Sequence, residues 1–370
     1  MVREEDQFVE SLEPPKPICR FYLTACDAWD AMYRDCERAK VSIELEQYIF
    51  DNDKLGRRFL ELFIKKASEG IQVFIICDKF GSIQLLHSSL VRKLRRHGGH
   101  FYFYNPITYW NFFTPWRWFP RTHVKTLLVD SSIAYVGSAC IANHMANWRD
   151  TQVCITGPAV LYIRHAFNDI KRTFQQQKEM PLTKTPPKDE NFRYVVSQPN
   201  VPKFKVYEEL AEAISRAKRY IYIATPFFIP HLRFFNLLKQ AHGRGVEILL
   251  LVPEHSDIPL ADWICISYGK KLFDAGVRVF HYGPHNLHCK IAVIDDIWAT
   301  AGSANFDVIS FFHNREANLV ITEPAAIDKL KQQFLDDLAH SQELTPEKWQ
   351  KLPLWKKWTG YLVRALKVFF

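Results

Sequence analysis

The sequence lacks three features that would assign the protein to familiar classes. It contains no run of roughly 18 uninterrupted apolar residues, so we expect no membrane-spanning helix. The acidic N-terminus, Met1 to Asp6, has the character of neither a signal peptide nor a transit peptide. The eight cysteines form no CxxC pair and no spacing typical of a metal site. We therefore expect reduced thiols in a cytosolic protein, no bound metal and no other cofactor.

The composition indicates a folded chain of two ordinary domains. Hydrophobic residues make up 48% of the 370 residues, which excludes global disorder. The net charge of +8 suits a polyanionic partner, such as an anionic lipid surface or nucleic acid. A soluble protein that is merely basic fits the charge equally well, so charge alone does not choose between these partners.

The two halves of the chain repeat one pattern of elements. Each predicted helix precedes a short apolar run that is rich in β-branched or aromatic residues, which predicts an α/β fold of two mixed β-sheets flanked by helices. The predicted helices are 28–39, 55–69, 88–97, 207–218, 232–244 and 262–275. The predicted domains are 1–180 and 203–345, with a Pro-rich linker at 181–202 and a tail at 346–370.

Each half also contains the same spaced polar motif. A His-x-Lys pair is followed by four residues, an Asp, six residues and Gly-Ser, and the second copy continues with x-Asn. Two such copies within Val, Ile and Leu-rich strands are not expected by chance, which disfavours a purely structural role for the histidines. The motif residues are His123, Lys125, Asp130 and Ser138 in the first half, and His288, Lys290, Asp295, Ser303 and Asn305 in the second.

The residue types in the motif suit the cleavage of a phosphodiester. Residues i and i+2 of a strand share a face, so each His and its Lys point the same way. Two histidines that meet across a pseudo-twofold axis supply a nucleophile and an acid. Asp130 and Asp295 have the opposite parity, and we expect them to be structural partners at the far end of each strand. The predicted phosphate-binding groups are Lys125, Lys290, Ser138, Ser303 and Asn305.

Two carboxylates follow the histidines at nearly equal offsets. Asp150 lies 27 residues after His123, and Glu316 lies 28 residues after His288. A carboxylate commonly fixes the tautomer of a catalytic histidine, so we interpret this pair as orienting groups. The alternative is that both are ordinary surface carboxylates.

These residues resemble the HKD motifs of the phospholipase D superfamily, and the chain is most similar within it to bacterial cardiolipin synthases. The likeness covers nearly all of residues 20–325, and the doubled motif is highly specific for the superfamily. Supporting stretches are Glu46 to Phe50, Trp148 to Asp150, Thr225 to Pro230 and Ser310 to Glu316. The resemblance implies two repeated phospholipase D-like domains with the active site at their pseudo-twofold interface. One departure is Cys140, which stands where the family pattern has Asn.

The resemblance also implies a reaction. His123 would attack phosphorus to form a phosphohistidine, while His288 would protonate the leaving alcohol and then activate the incoming one. The donor would be a phospholipid, either phosphatidylglycerol or phosphatidylethanolamine, and the acceptor the head group of phosphatidylglycerol. Hydrolysis by water, a nuclease activity on the same core, and an inactive lipid-binding scaffold remain alternatives. The internal pseudo-dimer calls for no obligate protein partner.

Two segments indicate contact with a membrane rather than with nucleic acid. An aromatic insert at 107–122 precedes His123, and Trp and Tyr favour the head-group zone of a bilayer. Residues 355–370 place Trp and Phe on one helical face and Lys and Arg on the other, as an interfacial helix does. Either segment could instead pack on the body of the protein. We expect a peripheral protein on the cytoplasmic side of the inner membrane.

Overall fold

The N-terminal half is built on a seven-stranded mixed sheet. The computed structural model describes residues 18–105, 120–175, 191–198 and 204–365. The strands run in the order β1-β7-β6-β5-β2-β3-β4, with β2, β3 and β4 parallel and the other neighbours antiparallel. They are β1 Cys19–Thr24, β2 Ser42–Gln47, β3 Gln72–Asp78, β4 His100–Tyr104, β5 Thr126–Val129, β6 Ile133–Gly137 and β7 Arg149–Thr156. Its helices are α1 Ala25–Arg38, α2 Lys54–Ser68, α3 Ser89–Arg96 and α4 Ala159–Gln175.

The C-terminal half repeats this sheet with one more strand. Its order is β17-β12-β11-β9-β13-β14-β16-β8, while β10 and β15 form a separate parallel pair. The strands are β8 Phe192–Ser197, β9 Tyr220–Ala224, β10 Phe228–Ile229, β11 Glu247–Pro253, β12 Val277–Tyr282, β13 Ile291–Ile294, β14 Trp298–Gly302, β15 Phe306–Asp307, β16 Glu316–Ile321 and β17 Ser341–Leu344. The helices are α5 Lys205–Arg216, α6 Leu232–Gly243, α7 Pro259–Ser267, α8 Gly269–Asp274, α9 Val308–Phe312, α10 Pro324–Ala339, α11 Pro346–Lys351 and α12 Leu354–Ala365.

The two sheets have the same topology. If β1 is matched with β8 and β7 with β16, every remaining strand of the first sheet has its counterpart in the second, and β17 is an added edge. The repeat in the sequence is therefore a repeat in the fold, and the prediction of two mixed sheets flanked by helices is confirmed. The motif strands β5 and β13 occupy equivalent central positions in their sheets.

The apolar faces of the two sheets pack against each other across the pseudo-twofold axis. One buried cluster joins side chains of both sheets and of the helices α4 and α10. Representative members are Leu128, Val136 and Val153 from the first half, and Leu251, Ile291 and Leu319 from the second. Because the halves share one core, the site that forms where they meet is held by both.

The structure differs from the sequence predictions in two boundaries and in two helices that were not predicted. The linker predicted at 181–202 is too long, because Phe192–Ser197 is strand β8 and pairs with β16. The helix predicted at 262–275 is divided at Tyr268 into α7 and α8. The break adjoins Gly269, where a Cβ would lie 2.3 Å from Nε1 of Trp349, so a bulkier residue would collide with that indole. The helices α4 and α10, which help to fill the interface, were not predicted.

The tail helix α12 is docked on the protein and also presents an aromatic face to solvent. Lys357 is buried, and its Nζ donates to the backbone oxygen of Gln350 at 2.9 Å. Trp355 meets Trp263 of α7 edge-on at 5.6 Å, yet it remains 54% exposed, and Trp358 is 63% exposed. Most of the aromatic insert, residues 107–119, lies outside the described residues. Among the helices of the described ranges, none has the length and apolar character needed to cross a bilayer.

Candidate active site

The two motif histidines line one cavity of about 290 Å³ between the halves. Each histidine lies just before its motif strand, and its backbone is anchored to the opposite half. The amide of His123 donates to the carbonyl of Arg315 at 2.9 Å, and the amide of His288 donates to the carbonyl of Arg149 at 2.7 Å. The histidines are therefore brought together by backbone bonds that cross the interface in both directions.

Each histidine takes its carboxylate partner from the other half of the chain. Nδ1 of His123 lies 2.9 Å and 3.1 Å from the two carboxylate oxygens of Glu316. Nδ1 of His288 lies 3.0 Å from Oδ2 of Asp150. The offsets along the chain identified the two carboxylates but not this exchange of partners. With Nδ1 occupied in both rings, Nε2 is the nitrogen left for chemistry.

The two motif serines contact the carboxylates rather than the cavity. Ser303 Oγ donates to Glu316 at 2.5 Å, and Ser138 Oγ donates to Asp150. Both serines are fully buried, and neither lines the cavity. This arrangement differs from the predicted phosphate-binding role, because the turn after β6 or β14 directs each hydroxyl behind the carboxylate of the same half. Asn305 does line the cavity.

The motif lysines are buried beside the histidine backbones. Lys125 Nζ donates to the carbonyl of His123 at 2.7 Å, and Lys290 Nζ donates to that of His288 at 2.6 Å. Burial lowers the pKa of both lysines, and that of Lys290 falls to about 8. Neither lysine lines the cavity itself, but Lys125 Nζ lies 5.2 Å from the ring centre of Tyr48, which does.

The buried surroundings keep the histidines neutral and the carboxylates charged. Burial lowers the pKa of His123 to about 4, with a further contribution from Lys125 that Glu316 opposes. Burial and Lys290 likewise lower the pKa of His288. Although burial acts in the other direction, His288 holds the pKa of Asp150 below its usual range, as His123 does for Glu316. A neutral imidazole beside a charged carboxylate is the state in which a histidine can act as nucleophile or base.

The motif aspartates lie at the far ends of their strands, away from the cavity. Asp130 accepts hydrogen bonds from the backbone amides of Lys40, Val41 and Ser42, at 2.8–3.1 Å. Asp295 accepts from the equivalent amides of the second half, those of Lys218, Arg219 and Tyr220, at 2.6–2.8 Å. Each aspartate ties the end of its motif strand to the start of the neighbouring central strand.

Two buried ion pairs that cross the interface were missed by the sequence analysis. Arg149 Nε lies 2.7 Å from Asp337, and Arg315 Nε lies 2.8 Å from Glu46. Each arginine immediately precedes one of the orienting carboxylates, so the pair fixes the backbone from which Asp150 or Glu316 projects. The matching Arg-Asp and Arg-Glu dipeptides were a signal for the arginines, whereas Glu46 and Asp337 are identified only by the fold.

Known proteins match both halves of this chain, each of which carries one histidine of the cavity. A family model described as "Cardiolipin synthase, PLD-like domain" matches residues 32–170 and 210–338. The cardiolipin synthase of Staphylococcus aureus is 33% identical over 353 residues, which cover 91% of this chain and 70% of that protein. The major cardiolipin synthase ClsA of Bacillus subtilis is 32% identical over 346 residues, which cover 89% of this chain and 70% of that protein.

A solved structure shares the fold at low sequence identity. The phosphatidylserine synthase of Haemophilus influenzae superposes with a TM-score of 0.72 at 13% identity, over 94% of this chain and 92% of that one. The likeness extends over both halves of this chain, so the two proteins share the fold.

Proposed function

The chain belongs to the cardiolipin synthase family of phospholipase D-like proteins, and from this premise we propose that it transfers phosphatidyl groups between phospholipids. The observation that carries the proposal is the pair of neutral histidines in one cavity, each bound at Nδ1 by a carboxylate of the opposite half. We propose phosphatidylglycerol as the acceptor and a covalent phosphohistidine as the intermediate.

In the first step, Nε2 of His123 attacks phosphorus and the bond to the leaving alcohol oxygen breaks. For this step His288 first binds a proton at Nε2, which the negative phosphate beside it favours, and it then donates that proton to the leaving oxygen and becomes neutral. Lys125 and Lys290 stabilise the charge on the non-bridging oxygens. In the second step, His288 accepts the proton of the incoming alcohol, whose oxygen attacks phosphorus and releases His123. At the end of the cycle both histidines have returned to the covalent and protonation states in which they began it.

The lining of the cavity supports a lipid substrate over a nucleic acid. Apolar side chains dominate it, including Ile49, Phe80, Met145, Ile229 and Ile258. Among the described residues that line the cavity, Arg121 is the one with a permanent positive charge, and its guanidinium lies 3.1 Å from Asp78. A nucleic-acid groove would instead carry basic side chains along the path of the backbone.

The first test is turnover of defined vesicles. Phosphatidylglycerol vesicles, with and without phosphatidylethanolamine, are incubated with the protein, and the products are resolved by mass spectrometry. We expect cardiolipin from the native chain and none from His123→Ala or His288→Ala. Phosphatidic acid alone would identify a hydrolase. No lipid product from the native chain would contradict the proposal.

We also propose that the protein meets the bilayer through a docking face next to the cavity, formed by Ile258, Leu260, Leu354, Trp355 and Trp358. All five side chains are between 37% and 68% exposed. Ile258 lines the cavity, α7 begins beside it, and α12 packs along α7. Apolar side chains that continue from the mouth of a lipid-binding cavity suit entry of acyl chains. The free thiols fit the reducing cytoplasmic side of the membrane.

Sedimentation with vesicles tests the docking face. We expect the double variant Trp355→Glu/Trp358→Glu to lose at least tenfold in its partition to phosphatidylglycerol vesicles, because two exposed aromatic side chains that would enter the bilayer are replaced by charges that the anionic lipid repels. Ile297→Glu is the matched control, since Ile297 is 64% exposed beside Asp295 at the far end of the second sheet. Equal binding by both variants would refute the proposed face.

A further inference from the structure

The cavity has one wall that differs between the two halves. The turns after β6 and β14 are equivalent, because Phe50 pairs in parallel with Ile141 just as Phe228 pairs with Phe306. At the flanking positions the first half has Cys140 and Ala142, whereas the second half has Asn305 and Asp307. The backbone is thus symmetric while the hydrogen-bonding groups are not.

The wall of the second half presents hydrogen-bond acceptors to the cavity. Asn305 is 9% exposed and lines the cavity, and its Oδ1 has no hydrogen-bond partner within the part of the chain that the structure describes. Asp307 also lines the cavity, and its Oδ1 accepts from the amide of Ser310 at 2.7 Å. A buried polar atom is normally satisfied, so this wall lacks a donor that a ligand can bring.

Within the described ranges, no cation is found among the groups that act on the Asp307 carboxylate. Burial raises its pKa to about 6, and the groups that oppose this rise are hydrogen-bond donors, mainly the Ser310 amide and the Asn305 side chain. Such a carboxylate accepts hydrogen bonds strongly, because the surrounding medium does not solvate its charge well.

We propose that Asn305 and Asp307 form the subsite for the acceptor head group and select an alcohol that carries a second hydroxyl beside the reacting one. This inference rests on the proposed function. A terminal glycerol group has two adjacent hydroxyls. One loses its proton to His288 and attacks phosphorus as the bond to His123 breaks. The other donates to Asp307 or to Asn305 Oδ1 and holds the reacting oxygen in place.

The test compares two soluble acceptors that differ in the second hydroxyl. A phosphatidyl donor with a p-nitrophenyl leaving group is mixed with equal amounts of glycerol and 1-propanol, and the phosphatidyl products are quantified by mass spectrometry. We expect the native chain to favour glycerol. Asp307→Asn should reduce the glycerol-to-propanol product ratio about tenfold, since one hydrogen bond to a charged acceptor becomes a neutral one.

A matched control separates selectivity from helix capping. Asp307 caps α9 and Asp53 caps α2 in the same way, with Oδ1 of Asp53 accepting from the Gly56 amide at 2.9 Å. Asp53 does not line the cavity. Asp53→Asn should therefore keep the native product ratio, while Asp307→Asn, in which Asn still caps the helix, should not.

Three outcomes would overturn the subsite. The native chain could make both products equally, Asp307→Asn could keep the native ratio, or ethanolamine added as a third acceptor could outcompete glycerol, which would indicate an ammonium site. Release of p-nitrophenol is recorded in the same reaction. If the native chain released no more p-nitrophenol than His123→Ala does, both the proposed function and the subsite would be refuted. If it released p-nitrophenol but formed both products equally, only the subsite would be refuted.

Discussion

Glu316 belongs to the C-terminal half, yet the geometry predicts that its loss disables the histidine of the N-terminal half. The perturbation is Glu316→Gln, which keeps the shape of the side chain and its contact with Ser303 but removes the charge. Because Glu316 contacts Nδ1 of His123 and not His288, we expect the step that depends on His123 to suffer.

The size of the effect follows from the charge that develops on the ring. When Nε2 attacks phosphorus, the imidazole of His123 becomes positively charged next to the buried carboxylate. Opposite charges about 4 Å apart attract by about 4 kcal/mol at an effective dielectric constant of about 20. That corresponds to about 10³-fold in rate, and the neutral hydrogen bond of Gln returns part of it. We expect phosphohistidine formation to slow roughly 10²- to 10³-fold.

A p-nitrophenyl phosphodiester isolates this step. Its leaving group departs without a general acid, so the pre-steady-state burst of p-nitrophenol reports attack by the nucleophile alone. Glu316→Gln should lose the burst, as His123→Ala does. Asp150→Asn, which affects His288, should keep a burst near the native rate and slow the later turnover.

The histidine variants make this test independent of which ring is the nucleophile. If His288→Ala lost the burst and His123→Ala kept it, the roles of the histidines would be reversed, and Asp150→Asn should then share the loss. The exchange of partners itself would be refuted if Glu316→Gln behaved like His288→Ala and Asp150→Asn like His123→Ala.

Two further predictions concern pH and stability. The burst rate should be constant between about pH 5 and 7. It should fall as the pH approaches 4, because His123 becomes protonated, and above pH 8, because Lys290 loses its charge. Stopped-flow measurements across this pH range test both decreases. Arg149→Leu should lower the free energy of unfolding by roughly 3–5 kcal/mol in urea titrations, since it leaves Asp337 buried without a partner. The double variant Arg149→Leu/Asp337→Leu should recover most of that loss, and no recovery would contradict the role assigned to the ion pair.

Much of the fold could be predicted from the sequence, because both halves of the chain repeat the same pattern of helices and strands. The alternation of helix and apolar strand in both halves predicted two mixed sheets, and the doubled His-x-Lys motif located the two strands that follow the histidines of the cavity. The boundaries of strands and linkers were harder to predict where tertiary contacts, rather than the local sequence pattern, determine the structure. The Pro-rich stretch before residue 204 obscured strand β8, whose pairing with β16 spans more than a hundred residues of chain.

The sequence by itself identified the two histidines and the two carboxylates that meet in the structure, since His123, His288, Asp150 and Glu316 stand at repeated spacings that reflect their strands. Tertiary structure alone decided how they combine. Spacing along a chain carries no information about contacts between distant segments, so the exchange of carboxylates between halves could not be predicted. The same reason applies to the serines, whose hydroxyls contact the carboxylates instead of lining the cavity. It also applies to the unequal wall at Asn305 and Asp307, which lines the shared cavity only because the two halves pack together.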